Sequence, residues 1–153
     1  MKRNLIFATL FLVSCIMIGC EYDVPITAKP TRSVDKSLLG NWTSKDGKST
    51  LTINQWDDAN YAVCNDGTLC RVYHSDVENT AFVTVQILDR EKPRYAYWAW
   101  NMTLDGVLHL RLVNDKLVPD DTKDSDTVQK LLKENLQNPA LLGEDSPYIK
   151  AAK

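Results

Sequence analysis

Between residues 38 and 118, apolar and polar residues alternate over short stretches that turn residues separate. Such alternation is typical of β-strands with one buried face. The clearest stretches are residues 49–56, 61–64, 70–74, 82–88, 95–104 and 107–113. Asp105-Gly106, between the last two, is a strong hairpin signal. At about ten residues per strand and turn, roughly six to eight strands fit, so we predict a mainly β fold, a small antiparallel meander that forms an up-and-down barrel or a strongly curled sheet.

One helical pattern follows the strands. Apolar residues recur at helical spacing on one face, at Val128, Leu131, Leu132 and Leu136. Asp126 and Gln129 have the spacing of a capping box, and Pro139 marks the end. We therefore predict one C-terminal α-helix, at about residues 126–137, whose apolar face packs on the sheet.

The first twenty residues have a different pattern. Lys2 and Arg3 precede an apolar run, and the run ends at Gly19-Cys20. This is the layout of a secretory signal, and the run is shorter than the roughly 20 apolar residues that span a bilayer. Residues 17–20 (MIGC) resemble the lipobox of bacterial lipoproteins. The resemblance implies that residues 1–19 are removed and that Cys20 carries a diacylglycerol thioether and an N-acyl chain.

A second lipobox-like sequence, residues 12–15 (LVSC), ends at Cys15. Cleavage there would expose three apolar residues at the new N-terminus, whereas polar residues follow Cys20 directly. We favour Cys20. By the same resemblance, Glu21 in place of Asp after the cysteine favours the outer membrane, so we expect a lipid-anchored envelope protein that faces the periplasm.

Residues 20–36 lack an apolar period and contain Pro25 and Pro30, so we predict a lipidated cysteine followed by a flexible tether. We assign residues 37–143 to one β-barrel domain with its helix, and we expect residues 144–153 to be a frayed tail. The whole chain has 18 basic and 20 acidic residues. This acidic balance lacks the basic surface that nucleic-acid binding requires, so we expect no nucleic-acid partner.

Cys64 and Cys70 remain once Cys15 is removed and Cys20 is acylated. An even pair in an oxidising compartment favours a disulfide. The five residues between them contain Asp66-Gly67, a hairpin turn signal. A five-residue loop would place the two cysteines opposite each other, whereas a two-residue turn would place Cys64 opposite Leu69. We predict a Cys64–Cys70 disulfide.

Gly40-Asn41-Trp42 at the start of the first strand, the antiparallel meander and the C-terminal helix together resemble the lipocalin, or calycin, pattern. In that family the tryptophan of the G-x-W motif lies at the closed end of the barrel, stacked under an arginine from a late strand. The resemblance implies that Arg111 is the arginine that stacks on Trp42.

The most unusual local sequence is residues 95–100 (YAYWAW). Because side chains alternate across a strand, Trp98 and Trp100 share one face, which we expect to be inside. With Val85, Trp42 and Arg111 they are the candidate residues of a ligand pocket. An eight-stranded barrel can instead be filled by its own side chains, and then Trp98 and Trp100 are core filler.

His74, Asp76 and Glu78 are spaced two residues apart and suggest an envelope enzyme or a metal site only if one strand includes all three. The strand is expected to end near His74, so a solvated loop is favoured. The acidic run at residues 120–126 lacks the glycine and glutamate of an EF-hand loop. We expect no metal, no cofactor and no catalysis. The leading hypothesis is an interaction module with a protein partner in the envelope, and the alternative is a carrier of a small apolar ligand.

Overall fold

The computed structural model describes residues 20–152, so the predicted signal peptide and the Cys15 alternative lie outside the described residues. In this part of the chain, eight strands follow one another in an antiparallel meander, and the last pairs with the first to close a barrel. The strands are β1 (Gly40–Ser44), β2 (Thr50–Gln55), β3 (Tyr61–Asn65), β4 (Thr68–His74), β5 (Phe82–Ile87), β6 (Arg94–Met102), β7 (Val107–Leu112) and β8 (Ser146–Lys150). The predicted up-and-down barrel is confirmed.

This topology gives the barrel two distinct rims. One rim carries the β2–β3, β4–β5 and β6–β7 connections together with a 3-10 turn, Lys36–Leu38, that precedes β1. Leu38 is buried against the interior core, and the Trp42 indole N–H donates to its carbonyl oxygen over 2.9 Å. We call this end the plugged rim. The opposite rim carries the β1–β2, β3–β4 and β5–β6 connections and the long β7–β8 connection.

The predicted frayed tail is wrong, because residues 146–150 form the strand that closes the barrel. β8 pairs with β7, where Leu108 lies opposite Tyr148, and with β1, where Trp42 lies opposite Lys150. Tyr148 points inward and is 1% exposed. Without β8, strands β1 and β7 would each have an unpaired edge and the barrel would be open.

The predicted flexible tether is also wrong, because residues 20–35 are packed along the outside of the barrel. We call this segment the strap. Tyr22 forms an antiparallel bridge with Tyr95 of β6, and its ring stacks on that of Tyr97 at 3.7 Å between centroids. Ile26 is fully buried. The strap therefore covers outward-facing apolar side chains that would otherwise be in water.

The one α-helix of the described residues, α1 (Ser125–Asn135), also packs on the outside of the barrel. Val128 and Leu132 are fully buried in the apolar cluster that includes Tyr97 and Phe82, so the predicted docking of the helix on the sheet is confirmed. The N-cap is Asp124, whose carboxylate accepts from the Thr127 N–H over 2.7 Å, and not the capping box expected at Asp126. Within residues 20–152, none of the helices is both long and apolar enough to cross a membrane.

The closing strand provides a direct test. Tyr148→Ala removes a buried ring and should lower the free energy of unfolding by about 3–4 kcal/mol. Ile149→Ala, the adjacent change, should cost less than about 1 kcal/mol because Ile149 faces outward and is 51% exposed. Denaturation in urea measures both. Equal, small effects would indicate that residues 146–150 fray as the sequence suggested.

Candidate functional site

The barrel interior contains an apolar cavity of about 70 Å³. Trp98, Trp100 and Val85 contribute to its wall. It extends to Asn65 and Thr68, which flank the β3–β4 turn, and we therefore call that end the mouth rim. Ligand pockets for small molecules enclose about 300–1,000 Å³. This cavity holds a few heavy atoms at most, and a larger ligand would require side chains to move.

The tryptophans account for the small volume. Trp98 and Trp100 point inward from β6 and occupy the space between the facing strands. The Trp100 ring meets the Tyr61 ring edge to face, with centroids 5.5 Å apart, and the His74 ring at 5.0 Å. These rings fill the part of the barrel next to the plugged rim. Nearer the mouth, the smaller side chains of Val85 and Ile87 line the cavity.

Trp42 is not a cavity residue. It lies 1% exposed beside the 3-10 turn, and the ammonium of Lys150 lies 5.2 Å from its ring centroid. The expected role of Arg111 is therefore wrong, and Lys150 of β8 provides the cation. Arg111 lies opposite Ala99 on the outer face, and its guanidinium donates to the carbonyl oxygen of Gly143 over 3.0 Å. Strand alternation places Arg111 and Trp42 on opposite faces of the barrel wall.

The backbone conformation and the close approach of Lys150 explain why the first residue of the Gly40-Asn41-Trp42 motif is glycine. Its φ is +132°, a conformation that side-chain-bearing residues rarely adopt. A Cβ at this position would lie 2.9 Å from the Lys150 side chain. The glycine therefore lets Lys150 pass over the start of β1 and reach the Trp42 ring.

The strand ends at His74 as predicted, but the expectation of a solvated position is wrong. His74 is the last residue of β4, is fully buried and points into the plugged end of the barrel. The Tyr61 hydroxyl, which accepts from the Asp35 N–H, lies 2.7 Å from His74 Nε2. Among the residues that the structure describes, Nδ1 has no hydrogen-bond partner. Burial lowers the pKa of His74 from 6.5 to about 4, so the ring is neutral at neutral pH.

The two acids that follow His74 lie elsewhere. Asp76 forms an ion pair with Arg32 of the strap at 2.8 Å, and Glu78 pairs with Lys133 of α1. The structure therefore does not bring His74, Asp76 and Glu78 into one cleft. Over residues 20–152, no group of three or more histidine, cysteine, aspartate and glutamate side chains is arranged to hold a metal ion.

The predicted Cys64–Cys70 disulfide is wrong, because both thiols are free. Asp66 and Gly67 have φ of 45° and 91° and form a two-residue turn, so Cys64 lies opposite Leu69 and Cys70 lies opposite Val63. This register points Cys70 into the barrel and Cys64 outward. Burial raises the pKa of the Cys70 thiol to about 11, which makes it a poor nucleophile.

A second depression lies outside the barrel between β7 and the loop before β5. His109 Nδ1 is 2.6 Å from an Asp145 carboxylate oxygen at its edge, and Arg111 and Thr80 also line it. Arg111 is held by backbone carbonyls of residues 142 and 143. The depression is open to solvent, and the contacts of His109 and Arg111 join the β7–β8 connection to the barrel wall.

The buried imidazole predicts a pH dependence of stability. As the pH falls from 6.5 to about 4, the unfolded chain binds a proton at His74 and the folded chain does not, so folding stability is lost over that window. The expected loss is roughly 3 kcal/mol relative to a His74→Gln variant, at about 1.4 kcal/mol per pKa unit. Urea denaturation of both proteins at pH 7, 5.5 and 4 measures the difference. The same dependence of unfolding free energy on pH in both proteins would contradict this. So would an NMR titration of His74 with a midpoint near 6.5.

Comparisons with known proteins add no relative: no family model, no curated protein and no solved structure matches this chain. The resemblance to lipocalins is therefore one of layout, carried by the closed eight-stranded barrel, the G-x-W motif beside a plugged rim and the helix on the outside.

Proposed function

We propose that this protein is a lipid-anchored component of a bacterial envelope whose small barrel is a non-catalytic interaction module. The observation that carries the choice of module over carrier is the size of the interior cavity, about 70 Å³. A barrel filled by its own tryptophans presents its outer surface and rims, not its interior, to other molecules. The anchor is supported by the signal pattern that ends at Gly19-Cys20.

The plugged rim offers the most exposed apolar side chains to a protein partner. Trp56 in the β2–β3 connection is 53% exposed, and Leu104 in the β6–β7 turn is fully exposed. Tryptophan is enriched at the centres of protein interfaces. The proposed partner is another envelope protein that buries one or both of these side chains.

A carrier of a small apolar ligand is the second candidate. The feature that favours it is the chemistry of the cavity wall, which is aliphatic and aromatic apart from Asn65 and Thr68 at the mouth and the thiol of Cys70. An apolar cavity of about 150 Å³ binds benzene, so a modest shift of Val85 or Ile87 would create room for a very small ligand. An envelope enzyme built on His74 has less support, because Asp76 and Glu78 are held in ion pairs outside the barrel.

Native mass spectrometry of the protein extracted from its own membrane tests the module against the carrier. The module predicts the mass of the chain from Cys20 plus its acyl groups, with no small molecule retained. A stoichiometric apolar molecule that remains bound would contradict the module and support the carrier.

Labelling with radioactive palmitate tests the anchor. Cys20→Ser should abolish labelling and leave the precursor uncleaved, because the thiol is the proposed site of acylation. Cys15→Ser is the matched control and should be labelled like the wild type. The reverse pattern would move the anchor to Cys15, and labelling of neither protein would remove the lipoprotein assignment.

A further inference from the structure

We propose that the barrel stands directly on the bilayer with its mouth rim towards the lipid and its plugged rim away from it. This inference rests on the proposed acylation of Cys20. It adds an orientation, which neither the signal pattern nor the closed barrel provides alone. The occupant of the mouth-rim surface is the headgroup layer of the membrane that holds the acyl chains.

The first step of the argument is where Cys20 lies. Its sulfur is 2.6 Å from a carboxylate oxygen of Asp115, in the connection that leaves β7 at the mouth rim. The carboxylate of Glu21 forms ion pairs with Arg90, in the β5–β6 connection, at 2.7 Å, and with Arg94, the first residue of β6, at 3.4 Å. The proposed lipid attachment point is therefore fixed at the mouth rim.

The second step is that no flexible linker separates Cys20 from the folded domain. The Tyr22 N–H donates to the Tyr95 carbonyl over 2.8 Å, and the Tyr95 N–H donates back over 3.0 Å. The Tyr22 hydroxyl donates to the carbonyl of Val118 over 2.9 Å. Acylation converts the Cys20 thiol to a thioether, which cannot donate to Asp115, so the sulfur must move away from that carboxylate. The backbone hydrogen bonds of Tyr22 and the ion pairs of Glu21 do not involve the sulfur, and they hold the adjoining residues at the mouth rim. A free tether of this length could span about 50 Å, whereas the packed strap holds the barrel against the headgroups.

The third step is the direction of the strap. From Cys20 it runs away from the mouth: the Ile26 N–H donates to the Thr84 hydroxyl, and the Thr31 N–H donates to the carbonyl of His74 at the plugged rim. The nine residues of β6 give the barrel wall a height of roughly 20 Å when the strand tilt is included. Trp56 and Leu104 therefore lie about that distance above the headgroups.

The competing orientation would bury Trp56 and Leu104 in the membrane instead. Two or three acyl chains contain dozens of methylenes and bind far more strongly than one tryptophan and one leucine. To place the plugged rim on the bilayer while Cys20 stays acylated, the strap would have to leave Tyr97 and expose buried Ile26. At the mouth rim, half-exposed Leu69 lies beside the β3–β4 turn and would contact the headgroups.

Depth measurements on the acylated protein test this orientation. Lys92→Cys, in the exposed β5–β6 connection, and Leu104→Cys, at the opposite rim, form a matched pair, each made in a Cys64→Ser background so that one accessible thiol carries a fluorophore. The proteins are reconstituted in phosphatidylethanolamine–phosphatidylglycerol vesicles containing lipids with nitroxide headgroups. We expect quenching at position 92 to exceed quenching at position 104 at least threefold.

A linker variant separates the strap from the anchor. Ten Gly/Ser residues inserted between Cys20 and Glu21 should leave flotation with vesicles intact. They should also make the quenching of the fluorophore at positions 92 and 104 equal. If the original proteins float but the two positions quench equally, or position 104 quenches more, the orientation is overturned and the anchor stands. If the proteins do not float at all, the anchor and the orientation are both overturned.

Discussion

The structure depends on the burial of β6 on both faces. Five consecutive residues of this strand, 96–100, are buried, so side chains that alternate inward and outward are all removed from water. Trp98 and Trp100 fill the barrel, whereas Tyr97 and Ala99 face out. A strand in an ordinary antiparallel barrel needs only one apolar face. The outward face of β6 therefore requires a second covering layer. The strap, before β1, and α1, after β7, provide it.

The strap and α1 form that layer together. Tyr22 and Ile26 of the strap and Val128 and Leu132 of the helix belong to one apolar cluster with Tyr97. The Ser125 hydroxyl at the start of the helix donates to the Pro25 carbonyl over 2.7 Å, which links the two covers directly. One consequence is that the strap, residues 20–35, is part of the folded domain. A second is that any anchor at Cys20 is rigidly connected to the barrel.

The elements with strong local patterns could be predicted from the sequence. The meander followed from period-two alternation, the helix from its apolar stripe at Val128 and Leu132, and the inward face of β6 from the alternation of Trp98 and Trp100. These signals are local, and long-range contacts reinforce them. The resemblance of Gly40-Asn41-Trp42 to the lipocalin motif indicated which end of the barrel is closed. The 3-10 turn that closes it, Lys36–Leu38, has no local signal in the sequence.

The elements that were missed have weak local signals. β8 has one inward apolar residue, Tyr148, and begins with Ser146-Pro147, so only its partners reveal it as a strand. The strap has no period, because Tyr22 and Ile26 pack on a surface that other parts of the chain create. The disulfide prediction was wrong because it required a five-residue loop. The two-residue turn at Asp66-Gly67 places Cys70 and Cys64 on opposite faces of the sheet. The partner of Trp42 likewise depended on the position of β8.

The order of the strap is the claim on which the remaining conclusions rest, and amide hydrogen exchange of the protein tests it most directly. The N–H groups of Tyr22 and Thr31 donate to carbonyls of Tyr95 and His74 at 2.8 and 2.9 Å. We expect both amides to exchange at rates close to those of β6, at least a hundredfold more slowly than in an unstructured peptide. Exchange of Tyr22 and Thr31 at the rate of a free peptide, with β6 still protected, would show that the segment is a loose tether and would contradict the account.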